Sequence, residues 1–246
     1  MKYPMLVTLL LATPGTAQTQ ALLPAFDAAA FDQGAPITNP YLALTPGYYH
    51  AFSGAGVDDA GKPTQERNVQ TLVGAGPMIM GLQSTVINDK AWVNGVMIED
   101  TRDYFAQDRS GNVWYLGEDA SSISYDATGH VSGIDSHSSW RAGVNGALPG
   151  YAMMAKPTKG AFYEQEHAPA DGALDLGRIL ATDLTVTGPT GTYKAVVQVF
   201  ESSSVEPALR EIKYYAPGIG MIREDEGVDA GFGNPAGVFA LISTKP

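Results

Sequence analysis

An all-β fold, a strongly curved antiparallel meander that forms a half-barrel or barrel with little helix, is the class this sequence predicts. Three observations carry it. Runs of β-branched and aromatic residues recur along the chain between short turn signals. Connections this short join antiparallel neighbours. Glycines lie inside the longer runs, where they bend a strand rather than leave it flat. No repeat at a fixed period is visible, which argues against propellers and solenoids.

The chain opens with MKYPMLVTLLLATPGTAQTQA, in which Lys2 precedes an apolar run, Met5 to Ala12, and the small residues Gly15-Thr16-Ala17. This pattern predicts a secretory signal peptide over residues 1–17, cleaved after Ala17 or alternatively after Ala21. The apolar run is too short to span a bilayer, so no transmembrane segment is expected. No cysteine follows it to carry a lipid anchor. The expected location is therefore periplasmic or extracellular, in a bacterium, with residues 18–246 forming a single β-rich domain. Without any cysteine, neither a disulfide, a thiolate metal site nor a cysteine nucleophile is available. Burial has to stabilise the fold.

Charge narrows the partners. The formal charge of −11 becomes about −12 once Lys2 leaves with the leader. Such a chain repels phosphate backbones and anionic membranes, so nucleic acid is not an expected partner. The sequence carries no signal of oligomeric state.

After an Ala-rich lead-in over residues 22–39, the first strand is expected at 48–53, followed by a loop at Asp58-Asp59-Ala60-Gly61. Strands at 66–73 and 78–92 flank an expected turn, Gly74-Ala75-Gly76-Pro77. Asn94-Gly95 is the strongest short hairpin signal in the chain. It leads into VMIEDTRDYFAQDRSGNVWYLGE, residues 96–118, which reads as two strands around the turn Asp108-Arg109-Ser110-Gly111. A four-residue loop there places Phe105 opposite Trp114 and Tyr104 opposite Tyr115, on opposite faces of the sheet; a one-residue slip reverses that assignment. Aromatic residues on both faces imply core on one side and a covered or ligand-sized space on the other.

A further hairpin is expected across Asp126-Ala127-Thr128-Gly129. Residues 142–159 read as a long connection, and residues 161–167 as a short strand. Residues 171–180, DGALDLGRIL, read as one or two helical turns, although the internal glycines are unfavourable in a helix. Strands are expected again at 184–187, 193–201, 209–215, 220–224 and 238–243.

Two segments resemble known proteins. Lys213-Tyr214-Tyr215-Ala216-Pro217-Gly218-Ile219-Gly220-Met221-Ile222 is similar to a hairpin, YYAPGVGLVK, found near the end of exported bacterial β-proteins with a lipocalin-like or LolA-like half-barrel. TRDYFAQDRSGNVWYLGED is similar to a segment of secreted bacterial proteins of this length. Together they cover under a fifth of the chain. The resemblance implies a fold and passes on no catalytic residue.

The chemistry is sparse. His130 and His137 are expected at the surface, and no HExxH metal pair or GxSxG elbow is present. Gly54-Ala55-Gly56 and Gly231-Phe232-Gly233 lack the following helix of a phosphate cradle, so no cofactor is expected. No metal site is assigned; the run Glu224-Asp225-Glu226 reads as a solvated turn, with weak calcium binding as the alternative. The densest titratable cluster is Tyr163-Glu164-Gln165-Glu166-His167, where alternation puts Glu164 and Glu166 on one face.

Two functions follow. The first is an exported binding protein holding a hydrophobic or amphiphilic small molecule, lipid or glycan on the concave face of the sheet. Tyr104, Tyr115 and Trp140 would pack on that ligand, Arg102 would fix a polar group, and Glu118 would join them if the strand bends at Gly117. The second is an exported hydrolase or lyase using Glu164 and Glu166 with His167 or His50 in the same cavity.

Overall fold

Asn94-Gly95 and the Asp108 loop are where the chain reverses in a computed structural model that describes residues 20–57 and 61–245. The leader and the Asp58-Asp59 loop lie outside the described residues. One antiparallel sheet carries almost everything else. Its strands follow one another in the path Phe162–Glu164, Asp175–Gly188, Gly191–Ser203, Arg210–Ala216, Gly220–Glu226, Gly237–Lys245, Tyr49–Val57, Pro63–Ile79, Leu82–Val93, Val96–Gln107, Val113–Asp119, Leu148–Met153 and Glu166–His167. The two ends of that path belong to one stretch of chain. Residues 162–164 pair with 176–178, and residues 166–167 pair with 148–149, so this stretch sits between the first and last walls and the sheet is nearly closed as a barrel. Gly150 permits the seam: a Cβ there would meet the Glu164 carbonyl oxygen at 2.2 Å. Among the described residues helix is confined to one 3-10 turn, Ala28–Ala30, and no helix is long and apolar enough to cross a membrane.

Local chemistry accounts for the hairpins. Asn94 and Gly95, at φ 52° and 82°, form the left-handed pair that matches the twist of the flanking strands. The Asp108 loop corrects the expected register. Asp108 is buried, and its carboxylate accepts hydrogen bonds from the Asn112 backbone at 3.0 Å, the Asn112 amide at 2.9 Å and Trp114 Nε1 at 2.9 Å. These bonds draw Asn112 into the loop, so Gln107 pairs with Val113 and Phe105 faces Tyr115 rather than Trp114. Tyr104 then pairs with Gly117 across a bulge. Gly117, at φ 138°, is required there, since a Cβ would lie 2.4 Å from the Trp140 carbonyl oxygen.

Three further expectations are corrected. Gly74-Ala75-Gly76-Pro77 is no turn: it continues the strand Pro63–Ile79 through two register shifts, and the chain reverses at Met80-Gly81. Pro77 is tolerated at such an irregularity because the ladder is already broken there. Residues 171–180 form no helix, because the strand Asp175–Gly188 is hydrogen-bonded along its length to Gly191–Ser203 and tertiary pairing overrides the weak local helical preference. The connection 142–159 contains the strand Leu148–Met153, which pairs with the strand Val113–Asp119, Gly150 opposite Tyr115.

The outer face of the organising hairpin is covered by the N-terminal segment. Phe26 and Phe31 pack edge-on against Trp114 at 5.6 and 5.9 Å, over a cluster that includes Tyr104 and Leu116. A second short hairpin, Ile37–Asn39 with Leu42–Leu44, caps one end of the barrel by touching the opposed walls Val96–Gln107 and Gly220–Glu226. Asn39 fastens it, donating to the carbonyls of Gly111 at 2.8 Å and Met154 at 3.2 Å, while the Gly218 N–H donates to the Pro40 carbonyl at 2.7 Å.

Candidate functional site

The corrected register turns Phe105 and Tyr115 inward together, and beneath the cap they help enclose a cavity of about 480 Å³. Its floor is apolar: Leu42, Tyr48, Ile87, Phe105, Tyr115 and Tyr215 line it and belong to the cluster that seats the capping hairpin. Phe105 and Tyr115 are stacked at 5.0 Å.

The walls are acidic. Glu66, Asp89, Glu99, Asp103, Glu166, Asp175, Glu201, Glu211, Glu224 and Glu226 all line the cavity, and Lys213 is the one cationic residue among its lining residues. Much of the chain's negative charge therefore faces inward rather than coating the surface. Burial penalises ionisation and pushes six of these carboxyls up: Asp89 and Asp175 to about 6, Glu226 to about 7, and Asp103, Glu166 and Glu224 well above the ordinary range. Neighbouring carboxylates add to the effect, as Asp175, Glu118 and Asp103 do for Glu166.

Lys213 has its own partners. Its ammonium donates to Glu201 Oε2 at 2.7 Å and lies 3.3 Å from Glu211 and 3.9 Å from Glu224. Burial alone would lower its pKa, but these carboxylates outweigh burial and hold it well above its ordinary value. Glu211, Glu224 and Glu226 also bring one carboxylate oxygen each within 4.8 Å of one another, the geometry of a cation-accepting group. Glu224-Asp225-Glu226 is thus not a solvated turn but part of the strand Gly220–Glu226, with Glu224 and Glu226 facing inward.

The structure sorts the residues singled out from sequence. Tyr115 lines the cavity and its hydroxyl lies 2.6 Å from Asp103 Oδ1 and 3.0 Å from Glu118 Oε2. Glu118 pairs across the strands with Asp103, returned to the inner face by the bulge at Gly117, and burial raises its carboxyl to about 7. Trp140 pairs with Glu118 and meets Tyr115 edge-on at 5.5 Å. Tyr104 and Arg102 are elsewhere. Tyr104 packs in the outer cluster, donates to Asp119 at 2.7 Å and lies under the Arg141 guanidinium; Arg102 is exposed beside Asp119.

The acid–base candidates are divided. Glu166 lines the cavity, whereas Glu164 is paired with His167 Nδ1 at 2.5 Å, so the alternation expected over 163–167 is broken between the two short strands. His50 is buried beside the Tyr48 hydroxyl at 3.2 Å, and desolvation depresses its pKa to about 4. Phe105, Asp103 and Lys213 were not singled out as site residues by sequence, and Glu224 and Glu226 were read as a solvated turn. Their signal was parity, since Glu211 and Lys213, like Glu224 and Glu226, must share a face.

Fold and cavity together define a nearly closed antiparallel β-barrel with an apolar floor and an acidic interior. No family model and no curated protein matches the chain. Among solved structures it is similar to the crystal structure of a "putative lipoprotein from Parabacteroides distasonis", at 14% identity and a TM-score of 0.42, over 87% of this chain and 100% of that one.

Proposed function

We propose that this is an exported binding protein that holds an amphiphilic small molecule inside its barrel. The cavity carries the reading: about 480 Å³ is within the range of small-molecule sites, and its stacked aromatic floor and polar walls suit a ligand with two unlike ends. Tyr115 would contact the ligand directly. Glu118 and Trp140 would act by holding Tyr115 in place, while Arg102 and Tyr104, on the opposite face, are left out of the site. Hydrolase chemistry is the weaker reading, because Glu166 and the nearest candidate base in sequence, His167, are not paired: His167 is occupied by Glu164.

Native mass spectrometry of the protein purified from its own exported fraction tests this, followed by denaturation and identification of what is released. A retained small molecule with an apolar part supports the proposal. Uniformly empty protein that also fails to take up amphiphilic probes contradicts it.

A further inference from the structure

We propose that the molecule held in the cavity is an organic ammonium compound: one or two protonated amines on a short apolar body, the charge lying against Glu166 and Asp103 and the body on the Phe105–Tyr115 floor. This inference rests on the binding role proposed above and names the ligand's charge.

Glu166 is the observation that points to it. Its side chain is 9% exposed and lines the cavity, yet among the described residues its carboxylate accepts no hydrogen bond and forms no ion pair. A buried carboxyl, neutral or charged, normally has a hydrogen-bond partner, so one that lines a cavity without any is a place where a ligand's donor fits. The groups facing it from the neighbouring walls are Asp175, Glu118, Asp103 and Glu201, and every one of them is acidic. Of these, Glu201 already holds Lys213; among the described residues no cation lies within ion-pair distance of Glu166, Asp103, Asp175 or Glu118.

The other side shows how the barrel treats one. There the ammonium of Lys213 sits among Glu201, Glu211 and Glu224 at 2.7, 3.3 and 3.9 Å. An amine entering beside Glu166 would meet the same kind of surroundings, in a setting where charge-assisted hydrogen bonds are strong. The acid wall and the aromatic floor also adjoin: Tyr115 touches Asp103 and Glu118 through its hydroxyl and stacks on Phe105 through its ring. One molecule reaching both surfaces has a cationic head and an apolar body. A bare divalent ion fits less well, since it wants six or more oxygens at 2.3–2.6 Å and has no use for an aromatic floor. The tightest acidic group, Glu211, Glu224 and Glu226, already has Lys213 against two of its members.

The test is isothermal titration of the whole exported protein at pH 8 with 2-phenylethylamine and 1,5-diaminopentane. The comparison probes are their neutral twins 2-phenylethanol and 1,5-pentanediol, the anion 3-phenylpropionate, and calcium chloride. The amines are expected to bind about tenfold or more tighter than their twins, the ratio of one charge-assisted contact. Glu166→Gln is expected to cut amine affinity by about the same factor and leave the alcohols unchanged. This variant replaces a buried charge by a neutral isostere and keeps the fold, as circular dichroism would verify; Asp103→Asn gives a second, independent reading. Alcohols or 3-phenylpropionate binding as tightly as the amines would overturn the ammonium assignment while leaving the binding role standing. So would amine affinity unchanged in both variants. Calcium binding more tightly than either amine would replace it by a metal site. Failure of every probe would overturn both proposals.

Discussion

Phe105 and Tyr115 stack at 5.0 Å with their planes 18° apart, and the Tyr115 hydroxyl lies within hydrogen-bond distance of two half-buried carboxyl groups, Asp103 and Glu118. One side chain thus joins the apolar floor of the cavity to its acidic wall. Because the hydroxyl has one proton, it serves both carboxyls only in part, and burial pushes its own pKa well up.

Tyr115→Phe should therefore keep the ring stack and lose the bridge. The expected result is a loss of about 1–3 kcal/mol of stability at pH 8, the cost of leaving buried acceptors without a donor. Urea unfolding measures it. At pH 5 the loss should shrink, because protonated carboxyls can donate to one another.

The cavity also sets the direction of the pH dependence. Asp89 and Asp175 are raised to about 6, and Glu118 and Glu226 to about 7, all above ordinary unfolded values. Between about pH 4 and 7 these four carboxyls hold protons in the folded state that they have released in the unfolded state, so their stabilisation is full below that window and falls as pH rises through it; His50, depressed to about 4, opposes them with a single site. Asp126 and Asp229, lowered by hydrogen bonds in exposed turns, act only below it. Urea midpoints at pH 4.5, 6 and 8 should decrease in that order. Asp175→Asn should flatten the curve; a midpoint that rises with pH would contradict the account.

Lys213→Met removes the ammonium that faces Glu201, Glu211 and Glu224. Losing a hydrogen bond between charged groups in this half-buried set costs roughly 1.5–3 kcal/mol. The loss should be larger at pH 8 than at pH 5, because Glu224, which burial pushes well above its ordinary range, holds its proton more fully at the lower pH. Equal losses at both values would show that packing of the lysine stem, not its charge, matters.

Asn39→Ala cuts the two side-chain bonds from the cap to Gly111 and Met154, and the bond its carbonyl accepts from the Tyr41 N–H. Hydrogen exchange at residues 37–44 should accelerate by about tenfold or more, the equivalent of roughly 1.4 kcal/mol of local opening. Amides in the strand Gly191–Ser203 should be unaffected, which separates loosening of the cap from global destabilisation.

Arg102→Ala should change ligand affinity less than about twofold, since exposed side chains away from a site act within about 0.5 kcal/mol. Tyr115→Ala should remove most of the binding. The pair tests which face of the hairpin meets the ligand, by titration against whatever molecule the native protein releases.

The barrel was legible in the sequence because its turns are chemically marked: Asn94-Gly95 and the glycine-containing loop after Asp108 leave few alternatives. Register was not, because it depends on a side chain reaching back. Asp108 captures Asn112 and Trp114, lengthens the loop by one residue and so separates Tyr104 and Tyr115, expected on one face, onto opposite faces. The acidic interior was hidden for a similar reason. Glu224 and Glu226, or Glu211 and Lys213, declare a common face by parity, but parity does not say whether that face meets water or the cavity, and acids read by default as solvated. The strand Asp175–Gly188 was masked by local composition, which long-range pairing overrode.

The most direct test of the central claim is a crystal structure of the protein purified from its own host without added ligands. The account predicts density for one organic molecule inside the barrel, its apolar part against Phe105 and Tyr115 and its polar end toward Glu166. A cavity holding only ordered water, or a ligand bound on the outer face beside Arg102, would contradict it.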